Sequence, residues 1–118
     1  MKTGKILWQD LTVPNATEIK DFYCNVLGWK FSEHDMGDYV DYNIIDPNTD
    51  EVFAGICHKK GTNANIPSQW LNYVQVEDLM GIIKACKAQG GKVVDGPRPM
   101  GNGLFALIQD PAGAYLGL

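Results

Sequence analysis

Two stretches of helical apolar spacing in this chain each end at a glycine, and those glycines, Gly28 and Gly91, stand 63 residues apart. The signals around them repeat in the same order. Residues 5–13, KILWQDLTV, are rich in strand formers and stop at Pro14, which has no N–H to give to a ladder. Trp70–Val76 alternates as a strand in the same way before the second helical stretch. Val13 falls on Val76 at the offset of 63, and Asp46-Pro47 falls on Asp110-Pro111 at an offset of 64. A repeat of about 60 residues is too long for a solenoid unit and too short for two independent domains. Two half-structures sharing one core satisfy it. The expectation is one domain over residues 1–118, with module one at about 4–60 and module two at about 68–118.

Local signals predict βαβββ in each module. Asn15 offers an N-cap with Glu18 in the first turn, and Ile19, Phe22, Tyr23, Val26 and Leu27 follow at helical spacing up to Gly28. Extended segments are then expected at Trp29–His34, Tyr39–Ile45 and Val52–His58, separated by turn residues. Lys59–Ser68 has no apolar period and reads as a connector. In the second module Glu77-Asp78 caps a helix over about Leu79–Gln89, and strands are expected at Lys92–Val94, Gly103–Gln109 and Ala114–Leu118. Gly96-Pro97-Arg98-Pro99 is expected to be a rigid loop.

Composition narrows the function. Hydrophobic content of 45% with 20% charged residues is ordinary for a globular protein. A net charge of −4, with no basic cluster beyond Lys59-Lys60, argues against nucleic acid. Met1–Lys5 is basic, but Gln9 and Asp10 interrupt the apolar stretch behind it, so no signal peptide is expected. No window reaches the roughly 20 apolar residues that cross a bilayer. Cys24, Cys57 and Cys86 are an odd number without close spacing, which suits reduced thiols in the cytoplasm rather than a disulfide framework. The chain ends at Leu118, directly after the last expected strand, where a frayed edge is expected.

Several local motifs point to one family. Phe22-Tyr23 followed by Leu27-Gly28-Trp29 resembles the F-Y-x-x-x-L-G-W signature at the first helix end of glyoxalase-fold proteins. Trp70-x-x-Tyr73-x-x-Val76-x-Asp78 with Gly90-Gly91 resembles the start of that family's second module, and Asp110-Pro111-Ala112-Gly113 its D-P-x-G turn. The family is the glyoxalase/bleomycin-resistance/dioxygenase group, the vicinal-oxygen-chelate superfamily. The resemblance implies an α+β fold in which tandem βαβββ modules curl into a pair of half-barrels around a small-molecule cavity. It also implies a homodimer.

Metal-using members place four ligands on the first and last strands of each module. Aligned through the Phe-Tyr and Val anchors, those positions fall here on Trp8, Gly55, Leu71 and Gly117. Indole, isobutyl and hydrogen cannot hold a divalent cation, which needs imidazole, carboxylate or thiolate donors at about 2.0–2.3 Å. No metal and no cofactor are therefore expected, and the metal-dependent reactions lose their Lewis acid. His58, beside Cys57, and His34, in an acidic turn, are read as rim or solvent-exposed residues.

Strand alternation then suggests a cavity lining of Trp8, Asp10, Phe53, Gly55, Cys57, Leu71, Tyr73, Gln75, Tyr115 and Gly117, with the two glycines leaving room. Such a face is aromatic and apolar and suits a small apolar or aromatic molecule. The plainer reading is that Trp8, Trp70 and Tyr73 fill the interior. Trp29 and Phe22-Tyr23 are expected in the core. Asp10 is the most informative residue, because an inward carboxylate is costly unless paired; it reads as an internal acceptor, to Tyr73 for example, or as a ligand anchor or base. Cys24 and Cys86 read as packing residues, and Cys57 has no histidine placed to activate it. The leading expectation is a metal-free binding protein of unassigned activity, with drug sequestration as in bleomycin resistance as one version. The first rival is a metal-independent lyase- or isomerase-type enzyme using Asp10 or Tyr73 as acid or base. The second is a structural dimer without ligand.

Overall fold

A computed structural model of the chain describes residues 3–118. Its elements run β1 (Thr3–Val13), α1 (Ala16–Leu27), β2 (Lys30–Asp35), β3 (Val40–Ile45) and β4 (Val52–His58), then β5 (Trp70–Val76), α2 (Leu79–Ala88), β6 (Lys92–Met100), β7 (Gly103–Gln109) and β8 (Tyr115–Gly117). This is an α+β chain with βαβββ twice, as the repeat predicts. Among the described residues no helix is long and apolar enough to cross a membrane.

The chain divides into two compact units, residues 9–70 and residues 3–8 with 71–118. In the first the strand order is β2-β3-β4-β1, with β1 parallel to β4 and the other neighbours antiparallel. In the second the order is β1-β5-β8-β7-β6, with β5 parallel to β8 and β8, β7 and β6 antiparallel. Both units thus close a three-stranded meander back onto the strand that precedes the helix.

The helix ends behave as their chemistry requires, with one exception. Gly28 adopts φ 72° and gives its N–H to the Cys24 carbonyl, a left-handed cap that costs glycine nothing. The Asp78 carboxylate accepts the Gly81 N–H at 3.0 Å, capping α2. Asn15 does occupy the N-cap of α1, but its amide donates to the Glu18 carboxylate at 3.3 Å and makes no bond to the backbone.

One expectation about α1 is overturned. The predicted apolar face included Phe22, Val26 and Leu27, yet all three are exposed, Phe22 at 54%. The stripe turned to the sheet is Ala16, Ile19, Lys20 and Tyr23, one helical position away. Lys20 is buried at 7% because its ammonium has three partners: the Phe31 ring at 4.0 Å, the Tyr42 ring at 4.8 Å and the Asp21 carboxylate at 2.7 Å. The core of the first unit is Leu11, Ala16, Tyr42, Ile44, Ala54 and Ile56. An aromatic group of Tyr23, Trp29, Phe53 and Trp70 packs on it, with the Trp70 indole donating to the Tyr23 hydroxyl at 3.2 Å. In the second unit Leu79, Ile83 and Ala106 form the corresponding core under α2.

The segment expected as a rigid loop, Gly96-Pro97-Arg98-Pro99, lies inside β6. Its ladder with β7 skips residues, running Val93↔Ile108, Asp95↔Leu107 and Arg98↔Phe105. The second bulge takes up Gly96 and Pro97, whereas Pro99 stands in register opposite Leu104. The connector also holds more order than its composition suggests, with a 3-10 turn at Gly61–Asn63 and Ile66 buried.

Candidate functional site

Residues directly across a ladder share a face. In the first unit the face turned away from α1 therefore follows from register. Asp10 stands opposite Gly55, Gly55 opposite Asn43, and Asn43 opposite Ser32, whose hydroxyl accepts from the Asn43 amide at 3.2 Å. In the next row Thr12 stands opposite Cys57, and Asp41 opposite His34. This face is polar, which corrects the expectation of an apolar lining in this half. The polarity comes from Ser32, His34, Asp41 and Asn43 on β2 and β3, which alternation along the first and last strands of a module does not reveal.

The Asp10 carboxylate lies over Gly55: a Cβ at that glycine would sit 2.5 Å from Oδ1. The room expected above Gly55 is thus filled from the neighbouring strand. Beside it, burial pushes the Cys57 thiol far above the ordinary thiol range, and the negative charges of Asp10 and Asp41 push it further. A protonated Cys57 is not a nucleophile. Asp41, 4% exposed, is the hub of this corner. Its Oδ1 accepts the backbone N–H of His58 at 2.8 Å and lies 3.2 Å from the His58 ring Nδ1, and the carboxylate also hydrogen-bonds Cys57. The His58 side chain is 16% exposed, with Tyr39 edge-on at 5.5 Å, so of the two expectations, rim or solvent-exposed, the exposed one does not hold. The reason is the buried carboxylate that holds it. His34 is exposed.

The second unit repeats the geometry with different chemistry. Tyr73 stands opposite Gly117, and a Cβ there would lie 2.5 Å from Cδ2 of the ring. Gly117 stands opposite Leu107, and Arg98 opposite Phe105, so Tyr73, Phe105, Leu107 and Arg98 share the face turned away from α2. The Tyr73 and Phe105 rings are 5.8 Å apart.

The sequence-derived lining is thereby distributed. Asp10, Gly55 and Cys57 come together in the first unit, and Tyr73 and Gly117 in the second. Tyr115 is half-buried two residues before Gly117, Leu71 is fully buried, and Trp8 is half-buried on β1. Gln75 is exposed at the end of β5, beside a recess of about 480 Å³ that Leu104 and Met80 also line. Phe53 packs edge-on against Trp29 at 5.1 Å, because the ladder slips between Ile44 and Ile45 opposite it. Trp70 belongs to the aromatic group on α1. Alternation along single strands does not single out Asp41 or Arg98. An aspartate inside the strand-like run VDYNII was the available signal for the first.

The four positions where the resemblance puts metal ligands carry Trp8, Gly55, Leu71 and Gly117, and no donor atom stands on them. Among the described residues no three His, Cys, Asp or Glu side chains converge to hold an ion. The residues present do not fit a divalent cation of the family type.

A sequence model of the Glyoxalase/Bleomycin resistance protein/Dioxygenase superfamily matches residues 5–118. A protein of Mycobacterium bovis named "Putative glyoxylase CFP32" is 27% identical over 119 residues, 99% of this chain and 46% of that protein. A protein of the same name from Mycobacterium tuberculosis matches equally. The chain spans about half the length of these curated relatives. Among solved structures, hypothetical protein BH1468 from Bacillus halodurans superposes with a TM-score of 0.61 at 13% identity, covering 99% of this chain and 93% of that one. Methylmalonyl-CoA epimerase from Mycobacterium tuberculosis superposes with a TM-score of 0.57 at 16% identity, covering 96% and 85%. At such identities these likenesses speak for the fold alone. With a match that runs over nearly the whole chain and a βαβββ order found twice, the chain belongs to the Glyoxalase/Bleomycin resistance protein/Dioxygenase superfamily.

Proposed function

We propose that this chain binds a small organic molecule without a metal ion, anchoring it through Asp10 on the polar face of the first unit. The observation that carries this reading is the Asp10 carboxylate lying over Gly55, and Gly55 is one of the four positions where the resemblance puts a ligand in metal-using members. A half-buried carboxylate costs folding energy unless its environment uses it, so such groups concentrate at functional sites. Its neighbours Asn43, Ser32 and Thr12 both donate and accept hydrogen bonds, and this supports a ligand with a polar or cationic end. The same reading takes the protein to be a cytoplasmic homodimer, with drug sequestration as one form of the activity.

A second reading has Asp10 act as a general base. Its favouring observation is the protonated Cys57 beside it, a neutral group next to a carboxylate. The Asp10→Asn variant separates the two. In isothermal titration calorimetry against a metabolite and antibiotic panel, loss of affinity at least tenfold supports anchoring. Retained affinity with lost turnover supports catalysis. Unchanged binding together with unchanged turnover overturns both readings, and stoichiometric zinc, nickel, manganese or iron in protein purified without chelators overturns the metal-free premise.

A further inference from the structure

The first unit has a recess of about 370 Å³ that neither reading uses, where the end of α1 meets the turn between β3 and β4. Leu27, Trp29, Asp46, Pro47, Asn48 and Phe53 line it. The left-handed cap at Gly28 ends α1 there, so that Leu27 and Trp29 come to flank the turn. Trp29 and Phe53 are half-buried, with their rings 5.1 Å apart at 75°. Both therefore pack on the core with one part and wall the recess with another. Leu27 is 52% exposed. The recess lies on the helix side of the sheet, away from the face that bears Asp10.

One carboxylate stands among the apolar walls. One oxygen of Asp46 accepts the Asn48 N–H at 2.8 Å, which shapes the turn, and the described residues give its other oxygen no hydrogen bond. Lys30 reaches this turn but is paired with Asp50 at 2.7 Å, so Asp46, Asp50 and Glu51 leave it with an excess of negative charge. A carboxylate beside aromatic rings is complementary to an organic cation, whose charge is attracted by both while its apolar groups rest on Leu27 and Pro47. A volume near the lower end of the roughly 300–1,000 Å³ of ligand sites limits the occupant to a small one. The second unit offers a contrast. Its recess at Asp110-Pro111 is walled by Ile82, Ala85 and Ile108 without an aromatic ring, and one oxygen of Asp110 accepts both the Ala112 and the Ala114 N–H, at 2.8 and 3.1 Å.

We propose that the recess between Leu27, Trp29, Asp46 and Phe53 binds a small quaternary ammonium, with Asp46 as its counter-charge. A primary ammonium carries three donors, for which apolar walls have no acceptors, whereas a quaternary one has no N–H to satisfy. This site is separate from the Asp10 face and does not depend on it.

The test uses choline and its neutral carbon isostere 3,3-dimethylbutan-1-ol, titrated into the full chain at constant ionic strength. The Trp29 indole N–H and the Asn48 amide are followed by NMR. Choline is expected to shift both signals and to bind about tenfold more tightly than the alcohol. Asp46→Asn keeps an acceptor oxygen for the Asn48 N–H, so the turn survives, and this variant should bind the two probes alike. Leu27→Lys, at an exposed position, brings a competing ammonium to the rim and should erase the preference too. Asp10→Asn should leave choline binding unchanged. Equal binding of the two probes by the native chain, absence of choline binding, or shifts centred on Asp10 or Asp110 overturns the inference. So does a choline preference that survives in Asp46→Asn or Leu27→Lys, or a choline affinity lost in Asp10→Asn.

Discussion

Tyr73 lies across the β5–β8 ladder from Gly117 with its ring folded over the glycine, at 2.5, 2.6 and 3.0 Å from where a Cβ would stand. Asp10 bears the same relation to Gly55 across β1–β4. The two glycines are therefore the seats of their neighbours' side chains. Gly117→Ala forces a rigid half-buried ring to move and is expected to destabilise the fold by about 1–3 kcal/mol, the usual cost of overpacking. Gly55→Ala displaces only the tip of a short side chain and should cost less. Urea unfolding of both variants checks the order. Adding Tyr73→Ala should recover part of the Gly117→Ala loss, and a purely additive double variant would refute the contact.

Cys57 links this geometry to pH. Its thiol is raised, first by burial and then by Asp10 and Asp41, above the ordinary thiol value of 9.0 that an unfolded chain would show. Below about pH 9 both states hold the proton and the effect on stability is constant. Above it the unfolded chain releases a proton that the folded chain retains, so stability falls by up to about 1.4 kcal/mol per pH unit. The slope between pH 9 and 10 should be shallower in Cys57→Ala than in the native chain, as read from urea midpoints. Iodoacetamide at pH 8 should leave Cys57 unmodified while the protein is folded. Rapid alkylation of Cys57 in the native state would contradict the assigned environment.

The fold was legible because the repeat rests on local chemistry that acts alike in both modules. The Gly28 cap, the Asp78 cap and the paired turns, in which Asp46 accepts the Asn48 N–H and Asp110 the Ala112 N–H, are all short-range signals. The face of α1 was not legible, because Phe22 and Val26 score as apolar wherever they point, whereas Lys20 is buried only through rings that arrive from β2 and β3. In β6 the prolines masked a strand whose bulges depend on its partner. Asp10 was found by alternation along one strand. Asp41 and Arg98 owe their roles to cross-strand register, which a sequence of alternating residues does not disclose.

Lys20 offers a test of how the first core tolerates its charge. The aliphatic stem fills space between Phe31 and Tyr42, and the ammonium is held by their rings and by an exposed Asp21. Lys20→Met keeps the stem and removes the desolvated charge, so its stability should lie within about 1 kcal/mol of the native chain. Lys20→Ala removes the stem as well and should cost about 2–3 kcal/mol. Equal losses in the two variants would mean that the charge, not the packing, carries the residue's contribution.

Asp41 is the residue whose removal should reach furthest. Its carboxylate receives the backbone N–H and faces the ring of His58, and it hydrogen-bonds Cys57, so it ties the end of β4 to β3. Asp41→Ala leaves a buried amide N–H without its acceptor and opens a small void, which together should cost about 3–4 kcal/mol. Asp41→Asn keeps an acceptor oxygen of the same size and loses only the charge, so about half of that cost is expected. The loss of a negative neighbour also lowers the Cys57 thiol pKa, since one cause of its elevation is gone. Asp41→Asn should therefore be less stable at neutral pH but keep most of the native decline just above pH 9, because burial alone still holds the thiol above its unfolded value. A loss of that decline in Asp41→Asn, read from urea midpoints, would mean that Asp41 and not burial is the main cause of the raised thiol.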